Sequence, residues 1–266
     1  MNMRKTIFSL LSLLFLLTVL LSACGDDEAA DPGSDAGDGS EGVATPSSAF
    51  DEFNSDAVTV SFDGDQITIH STGVPDHTSP YFNPGNSLYI DPVVAAEASM
   101  SPGFITESSY TLTVSAAPEL AASSTETGLG AIGISVSGAP IYNQSEGPTD
   151  VTAATASGFD WAGGHSGPTG YHYHVESRDV DANNGAMSYD DHQLVGIMSD
   201  GFLLYGRRES EGGDYPDDLD ESGGHFGITP HSDVPIYHYH IVNELYINTY
   251  YLLFGVDLQG TPNVIM

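Results

Sequence analysis

The sequence predicts a mainly β protein: a single β-rich domain with two pseudo-symmetric repeats, long Gly-rich loops and few short helices. Three observations predict it. Runs of five or six residues alternate apolar and polar and are bounded by Gly, Asp and Pro. No sustained 3.6-residue periodicity follows the N-terminus. A set of three motifs occurs twice in the same order. The chain has 266 residues and is 40% apolar, with 14 Tyr and 11 Phe, which is enough to build a core of useful size.

The N-terminus reads as an address. Arg4 and Lys5 precede Ile7 to Leu21, a run that is apolar except for Ser9, Ser12 and Thr18. That is short for a membrane span and right for a signal peptide over residues 1–23. The run ends in Leu21-Ser22-Ala23-Cys24, which resembles a bacterial lipobox. In signals of that kind the peptide is cut before the Cys, and its thiol takes a diacylglycerol (palmitate-type) anchor. Cys24 is the only cysteine, so the folded part has neither a disulfide nor a thiolate for a metal. The implied partner is a membrane, reached through the lipid. The implied place is the cell envelope, with the domain facing periplasm or exterior. Gly25 rather than Asp after the Cys points to the outer membrane if the cell is Gram-negative.

Residues 24–49 form an acidic tether. They hold seven acids, one Val, no aromatic residue and many Gly, Ser and Ala. The whole chain carries 37 acidic residues against five Lys+Arg. Cleavage would leave only Arg178, Arg207 and Arg208 as basic residues. This balance excludes nucleic acid as a partner, because a phosphate backbone needs cationic side chains to neutralise it. Bulk acidity of this kind suits saline surroundings and by itself names no function.

The domain proper spans 50–266. Val58 to Phe62 and Gln66 to His70 flank Asp63-Gly64-Asp65, which predicts a β-hairpin. Tyr110–Val114, Ala131–Val136, Leu194–Met198 and Ile236–Val242 read as strands, as does Glu244–Phe254 with a break. Ala95–Met100 and Pro118–Ala122 have room for a helical turn or two.

The repeat is the most informative feature. Asp160-Trp-Ala-Gly-Gly-His165 precedes Tyr171-His-Tyr-His174, and Asp220-Glu-Ser-Gly-Gly-His225 precedes Tyr237-His-Tyr-His240. Upstream, Gly133–Tyr142 aligns with Gly196–Tyr205. The units run roughly 129–177 and 192–243. In a strand, residues i and i+2 share a face, so each Tyr-His-Tyr-His sends two His one way and two Tyr the other. The two His are then about 6.6 Å apart along the strand, close enough to converge on one ion. The Gly-Gly-His element adds a third imidazole per unit. The candidate ligands are therefore His165, His172 and His174, with His225, His238 and His240. Asp160 and Asp220 are further ligands or acceptors that orient an imidazole. Six of the ten His fall in these repeated positions. Imidazole with carboxylate suits a transition metal such as Cu, Zn or Fe. The two sets either merge into one site or form two related ones.

The doubled Tyr-His-Tyr-His, each behind Asp-x-x-Gly-Gly-His, resembles the bacterial YHYH-domain family. So do Gly133–Tyr142 and Asp200-Gly-Phe-Leu-Leu-Tyr-Gly206. The likeness covers roughly residues 55–245. Gly73-Val-Pro-Asp-His77 resembles the family's Gly-Ile-Pro-x-His element, which adds His77 to the candidates. The resemblance implies a secreted or surface-attached protein, often lipid-anchored, and assigns no activity. Members often carry Cys within the Asp-x-x-Gly-His element, where this chain has Ala162 and Ser222.

Weaker signals complete the reading. Asp179-Val-Asp-Ala-Asn-Asn-Gly185, with Asp190, resembles a calcium loop, so Ca is a further candidate cofactor beside a plain solvated loop. Glu209 to Glu221 holds seven acids in 13 residues and reads as an exposed loop. Arg207 and Arg208 read as paired with local acids. Three function classes stay open: a metal-binding module, a metal-dependent enzyme, and a structural or adhesive domain without metal. In the enzyme, a hydrolase would use Asp200 or Glu221 as base at a metal-bound water, and an oxidoreductase would use the neighbouring tyrosines.

Overall fold

Val58–Asp63 (β1) and Gln66–Ser71 (β2) form the expected hairpin, and Tyr110–Ser115 (β3) adds a third antiparallel strand. The computed structural model describes residues 43–92, 103–176, 191–247 and 250–266. The signal peptide, Cys24, most of the tether, the Ala95–Met100 turn and the Asp179–Gly185 loop with Asp190 lie outside the described residues.

A second, eight-stranded sheet carries the repeats. Its strands from the first unit are Gly133–Ser135 (β5), Pro140–Ile141 (β6), Gly164–Gly167 (β9) and Gly170–Tyr173 (β10). Those from the second are Leu194–Met198 (β11), Leu203–Tyr205 (β12), Gly224–Thr229 (β13) and Ser232–His240 (β14). Leu120–Thr125 (β4) pairs with Leu258–Gly260 (β15), and Ser145–Glu146 (β7) with Thr149–Asp150 (β8). Among the described residues the helical elements are a 3-10 helix at Ser47–Glu52 and a one-turn helix Ala153–Ala156 (α1), capped by Thr152 and Thr155.

The strand order is β13-β14-β12-β11-β5-β6-β10-β9. Outward from the antiparallel β5–β11 pair, each side meets the same sequence of senses: antiparallel, parallel, antiparallel. The register corresponds as well. Tyr173 pairs with Ile141 and Tyr239 with Leu204, which are equivalent at the repeat offset.

Two predicted elements differ. Pro118–Ala122 is not a helical turn, because Leu120 onward pairs with β15. Glu244–Phe254 forms no strand among its described residues and contributes only isolated bridges, Tyr246 to Tyr250 and Leu252 to Val175. Its alternating pattern serves packing instead: Leu253 and Phe254 are buried in the core.

The core lies between the two sheets. Ile67, Ile69, Leu112 and Val114 of β2 and β3 join Ile134, Ile141, Tyr171, Tyr173 and Tyr239 in one buried cluster. The tyrosines of both Tyr-His-Tyr-His segments thus face the main core, which leaves the histidines on the other face.

Candidate metal centres

Both faces of the Tyr-His-Tyr-His segments are buried, so every polar atom on them needs a partner. On the core face the phenols find theirs. The Tyr171 hydroxyl donates to Asp160 Oδ2 at 2.8 Å, and Tyr237 to Asp220 Oδ2 at 2.8 Å. Tyr173 meets Ser137 Oγ at 2.8 Å, and Tyr239 donates to Asp200 Oδ2 at 2.6 Å. Asp160 and Asp220 also accept from the backbone of their own turns, at Ala162 and Gly164 and at Ser222 and Gly224. They hold the Gly-Gly-His turn and anchor a tyrosine; they do not touch the imidazoles. Asp200 likewise lies on the tyrosine face, where it accepts from the Gly260 N–H, and burial raises its carboxyl. Glu221 is exposed.

The Gly-Gly-His turn needs its first glycine. Gly163 has φ +91° and Gly223 φ +71°, and a Cβ on Gly163 would collide with the Val175 carbonyl. The turn delivers His165 opposite His172 and His225 opposite His238 in the cross-strand register.

The histidine face holds two clusters. One is Glu146, His165, His172 and His174; the other is Glu209, His225, His238 and His240. In each, one donor atom per residue lies within 4.8 Å of all the others, an arrangement that can hold a metal ion. Five strand spacings separate β10 from β14, on the order of 24 Å along the sheet. The histidines therefore form two centres and not one shared site.

Each imidazole is oriented by a backbone carbonyl or a carboxylate. His172 Nδ1 lies 3.1 Å from the Gly170 carbonyl, and His174 Nδ1 lies 2.6 Å from that of Asn143. In the second centre, His238 Nδ1 is 3.0 Å from the Ile236 carbonyl and His240 Nδ1 is 2.6 Å from that of Gly206. A carbonyl only accepts, so these Nδ1 atoms carry the hydrogen and each Nε2 turns a lone pair into its cluster. His225 Nδ1 has Asp218 Oδ1 at 2.7 Å, which fixes the same tautomer.

The inward-facing atoms then oppose one another. His238 Nε2 and His240 Nε2 stand 3.0 Å apart, lone pair against lone pair. His174 Nε2 lies 2.9 Å from Glu146 Oε2, and His225 Nε2 lies 3.1 Å from Glu209 Oε1, yet neither nitrogen has a hydrogen bond of acceptable alignment. A proton or a cation placed among such groups would relieve this opposition. Burial argues against the proton. It lowers His172 and His240 to about 4 and His238 to about 3, so these rings are neutral near pH 7. The Glu146 carboxyl is held well below the ordinary range by the three imidazoles around it, whereas desolvation raises that of Glu209.

The spacing fits an ion. Six of the donor separations run from 2.9 to 3.8 Å, and all stay within 4.8 Å. Bonds near 2.1 Å give ligand–ligand edges of about 3.4 Å in a tetrahedron and about 3.0 Å between cis positions of an octahedron.

The structure brings the six repeated histidines together in two sets of three. His77 stands apart. It is fully buried on the tyrosine face, with Nε2 3.3 Å from the Tyr171 hydroxyl and its ring 5.3 Å from that of Trp161. Arg207 and Arg208 are paired locally, as expected. Arg207 bridges Asp191 at 2.6 Å and Glu176 at 3.0 Å, and Arg208 reaches Asp191 at 3.2 Å.

Sequence reasoning missed Glu146 and Glu209. Their signal was present: each lies four residues beyond the tyrosine closing the first repeated block, Tyr142 or Tyr205. Gly167 and Gly227, two residues past each Gly-Gly-His, were missed too. A Cβ at Gly167 would stand 2.6 Å from His172 Cε1, and one at Gly227 would stand 3.0 Å from His225 Nε2.

No curated protein and no solved structure matches the chain. The stretch that does match a known family holds the first centre whole and Glu209 of the second. Residues 111–214 match the family model described as YHYH protein, so this chain carries a YHYH domain.

Proposed function

We propose that this protein is a surface-anchored bacterial lipoprotein whose β domain holds two transition-metal ions, one in each His3Glu centre. One observation carries the metal reading: imidazoles fixed by carbonyl acceptors on Nδ1 aim Nε2 lone pairs at each other and at a carboxylate in a buried space. The purely structural alternative would have these rings facing water. His172, His174, His238 and His240 are instead 0 to 3% exposed. Three imidazoles and a carboxylate suit Zn, Cu or Fe, and there is no thiolate to select Cu(I). Such an ion, once bound, supplies Lewis acidity and, for Cu or Fe, electron transfer. The chain's own part is to fix two tautomers in the first centre and three in the second, exclude water with aromatic rings and balance part of the charge. Tyr142 stacks on His172 at 4.1 Å and Phe159 on His174 at 5.3 Å. The lipoprotein part rests on the Leu21–Cys24 lipobox and the acidic tether that follows it.

Elemental analysis of the full chain, purified without a His-tag from metal-replete cells, tests the metal reading. About two equivalents of one transition metal are expected. Glu146→Gln and Glu209→Gln should each lower that to about one. Wild-type protein that is folded yet carries no metal and takes up none would overturn it.

A further inference from the structure

The two centres share a plan but not their surroundings. At the second, His225 Nδ1 meets the Asp218 carboxylate at 2.7 Å, while its Nε2 faces Glu209. This is a carboxylate–histidine–metal relay, in which the outer carboxylate makes the imidazole a stronger donor. At the first centre the equivalent ring, His165, has no carboxylate on Nδ1 among the described residues. Its ring lies instead against Phe159 at 4.9 Å, and Nε2 faces Glu146 at 3.2 Å. The repeat explains the difference. Phe159 and Leu219 occupy equivalent places before the conserved-spacing Asp, and Asp218 lies one residue earlier, where the first unit has Gly158.

Charge acts in the same direction. Among the described residues, a divalent ion in the first centre meets one carboxylate, Glu146, which leaves a net positive charge in a buried place. In the second centre Glu209 and Asp218 together neutralise it. Arg208, beside Glu209 in sequence, does not cancel this, because Asp191 holds its guanidinium at 3.2 Å. Asp218 is itself 66% exposed, so its field is partly screened, but a direct hydrogen bond at 2.7 Å keeps it coupled to His225.

We propose that the two centres are inequivalent and fill in order, the Glu209 centre first, with Asp218 as the positioning residue that sets the order. The inference rests on the metal reading above. The test is titration of the chelator-stripped full chain with Co2+, followed by visible absorption, with Zn2+ competition to scale the affinities. Two steps at least about tenfold apart are expected. Glu209→Gln should abolish the tight step and Glu146→Gln the weak one. Asp218→Asn should weaken the tight step about 10- to 100-fold and shift its Co2+ band, leaving the weak step and the circular dichroism unchanged. Asp218→Glu should restore part of the loss. If Asp218→Asn failed to fold, the two Glu variants would still assign the order. A single affinity class, loss of the tight step in Glu146→Gln, or equal weakening of both steps by Asp218→Asn overturns the inference while the metal reading stands. Absence of any Co2+ uptake overturns both.

Discussion

Asp160 is fully buried and accepts four hydrogen bonds, from Ser79 Oγ, the Tyr171 hydroxyl and the N–H groups of Ala162 and Gly164. Truncation would strand all four donors in a dry place. Asp160→Ala is expected to cost about 3–5 kcal/mol. The equivalent Asp220 is exposed, so Asp220→Ala should cost only about 1–2 kcal/mol. Urea unfolding of both variants checks the difference, and equal costs would refute the burial argument. Asp76 behaves oppositely. Its Oδ1 is buried without a hydrogen-bond partner, and burial raises the carboxyl to about 6. The folded protein keeps this proton up to about pH 6, whereas the unfolded chain releases it near 3.8. Between those values the folded state binds more protons, so the residue's contribution to stability falls as pH rises. Asp76→Asn should therefore be neutral at pH 4 and stabilising by about 1–2 kcal/mol at pH 7, allowing for partial solvent screening. Melting curves across that range read the effect, and a gain that did not grow with pH would contradict it.

At the scale of the element, one four-residue segment does two jobs because a strand has two faces. The tyrosines of β10 and β14 fill the core, and the first of each pair ties the Gly-Gly-His turn through Asp160 or Asp220. The histidines between them line a centre on the opposite face. The turn and the strand are thus one device, and damage to either should reach the metal. Gly163→Ala places a methyl group against the Val175 carbonyl at a positive φ. It should cost at least about 2 kcal/mol and remove one metal equivalent, that of the Glu146 centre. Gly227→Ala, beside His225 and His238, should spare the fold more and still empty the Glu209 centre. Metal content measured beside thermal stability separates the two effects.

For the whole molecule, each ion would tie together segments that the chain keeps apart. Glu146 comes from the β7–β8 hairpin, His165 from β9 and His172 from β10. Glu209 comes from the acidic loop, and its histidines from β13 and β14. An ion bound only by the folded state adds about 2.7 kcal/mol per centre at a free concentration one hundred times the dissociation constant. Chelation should therefore lower the melting temperature by about 5–10 °C per centre emptied. Calorimetry with and without chelator checks this, and an unchanged transition after confirmed metal removal would count against it. The anchor has its own test. Cys24→Ser should move the protein from the membrane fraction to the soluble one, and undiminished membrane attachment would sink the lipoprotein reading.

Alternation along β1, β2 and β3, the apolar run of β11, the doubled motifs and the six histidines were all legible in the sequence, because strand periodicity and repetition are local properties of the chain. The same local logic placed the His and Tyr of each Tyr-His-Tyr-His on opposite faces. Three matters needed tertiary structure. The number of centres was one, since it depends on four strands lying between β10 and β14 and not on spacing within either unit. The fourth donor was another. Glu146 and Glu209 look like ordinary surface acids in a chain with 37 of them, and only folding brings their carboxylates to the imidazoles. The roles of Asp160, Asp220 and His77 were the third. Their residue types suit a metal, but the register of the sheet turns them to the tyrosine face, where hydroxyl and N–H donors occupy the two carboxylates and the Tyr171 hydroxyl lies against His77. Chemistry that depends on which face a side chain reaches is set by long-range pairing, and long-range pairing is what a linear reading does not contain.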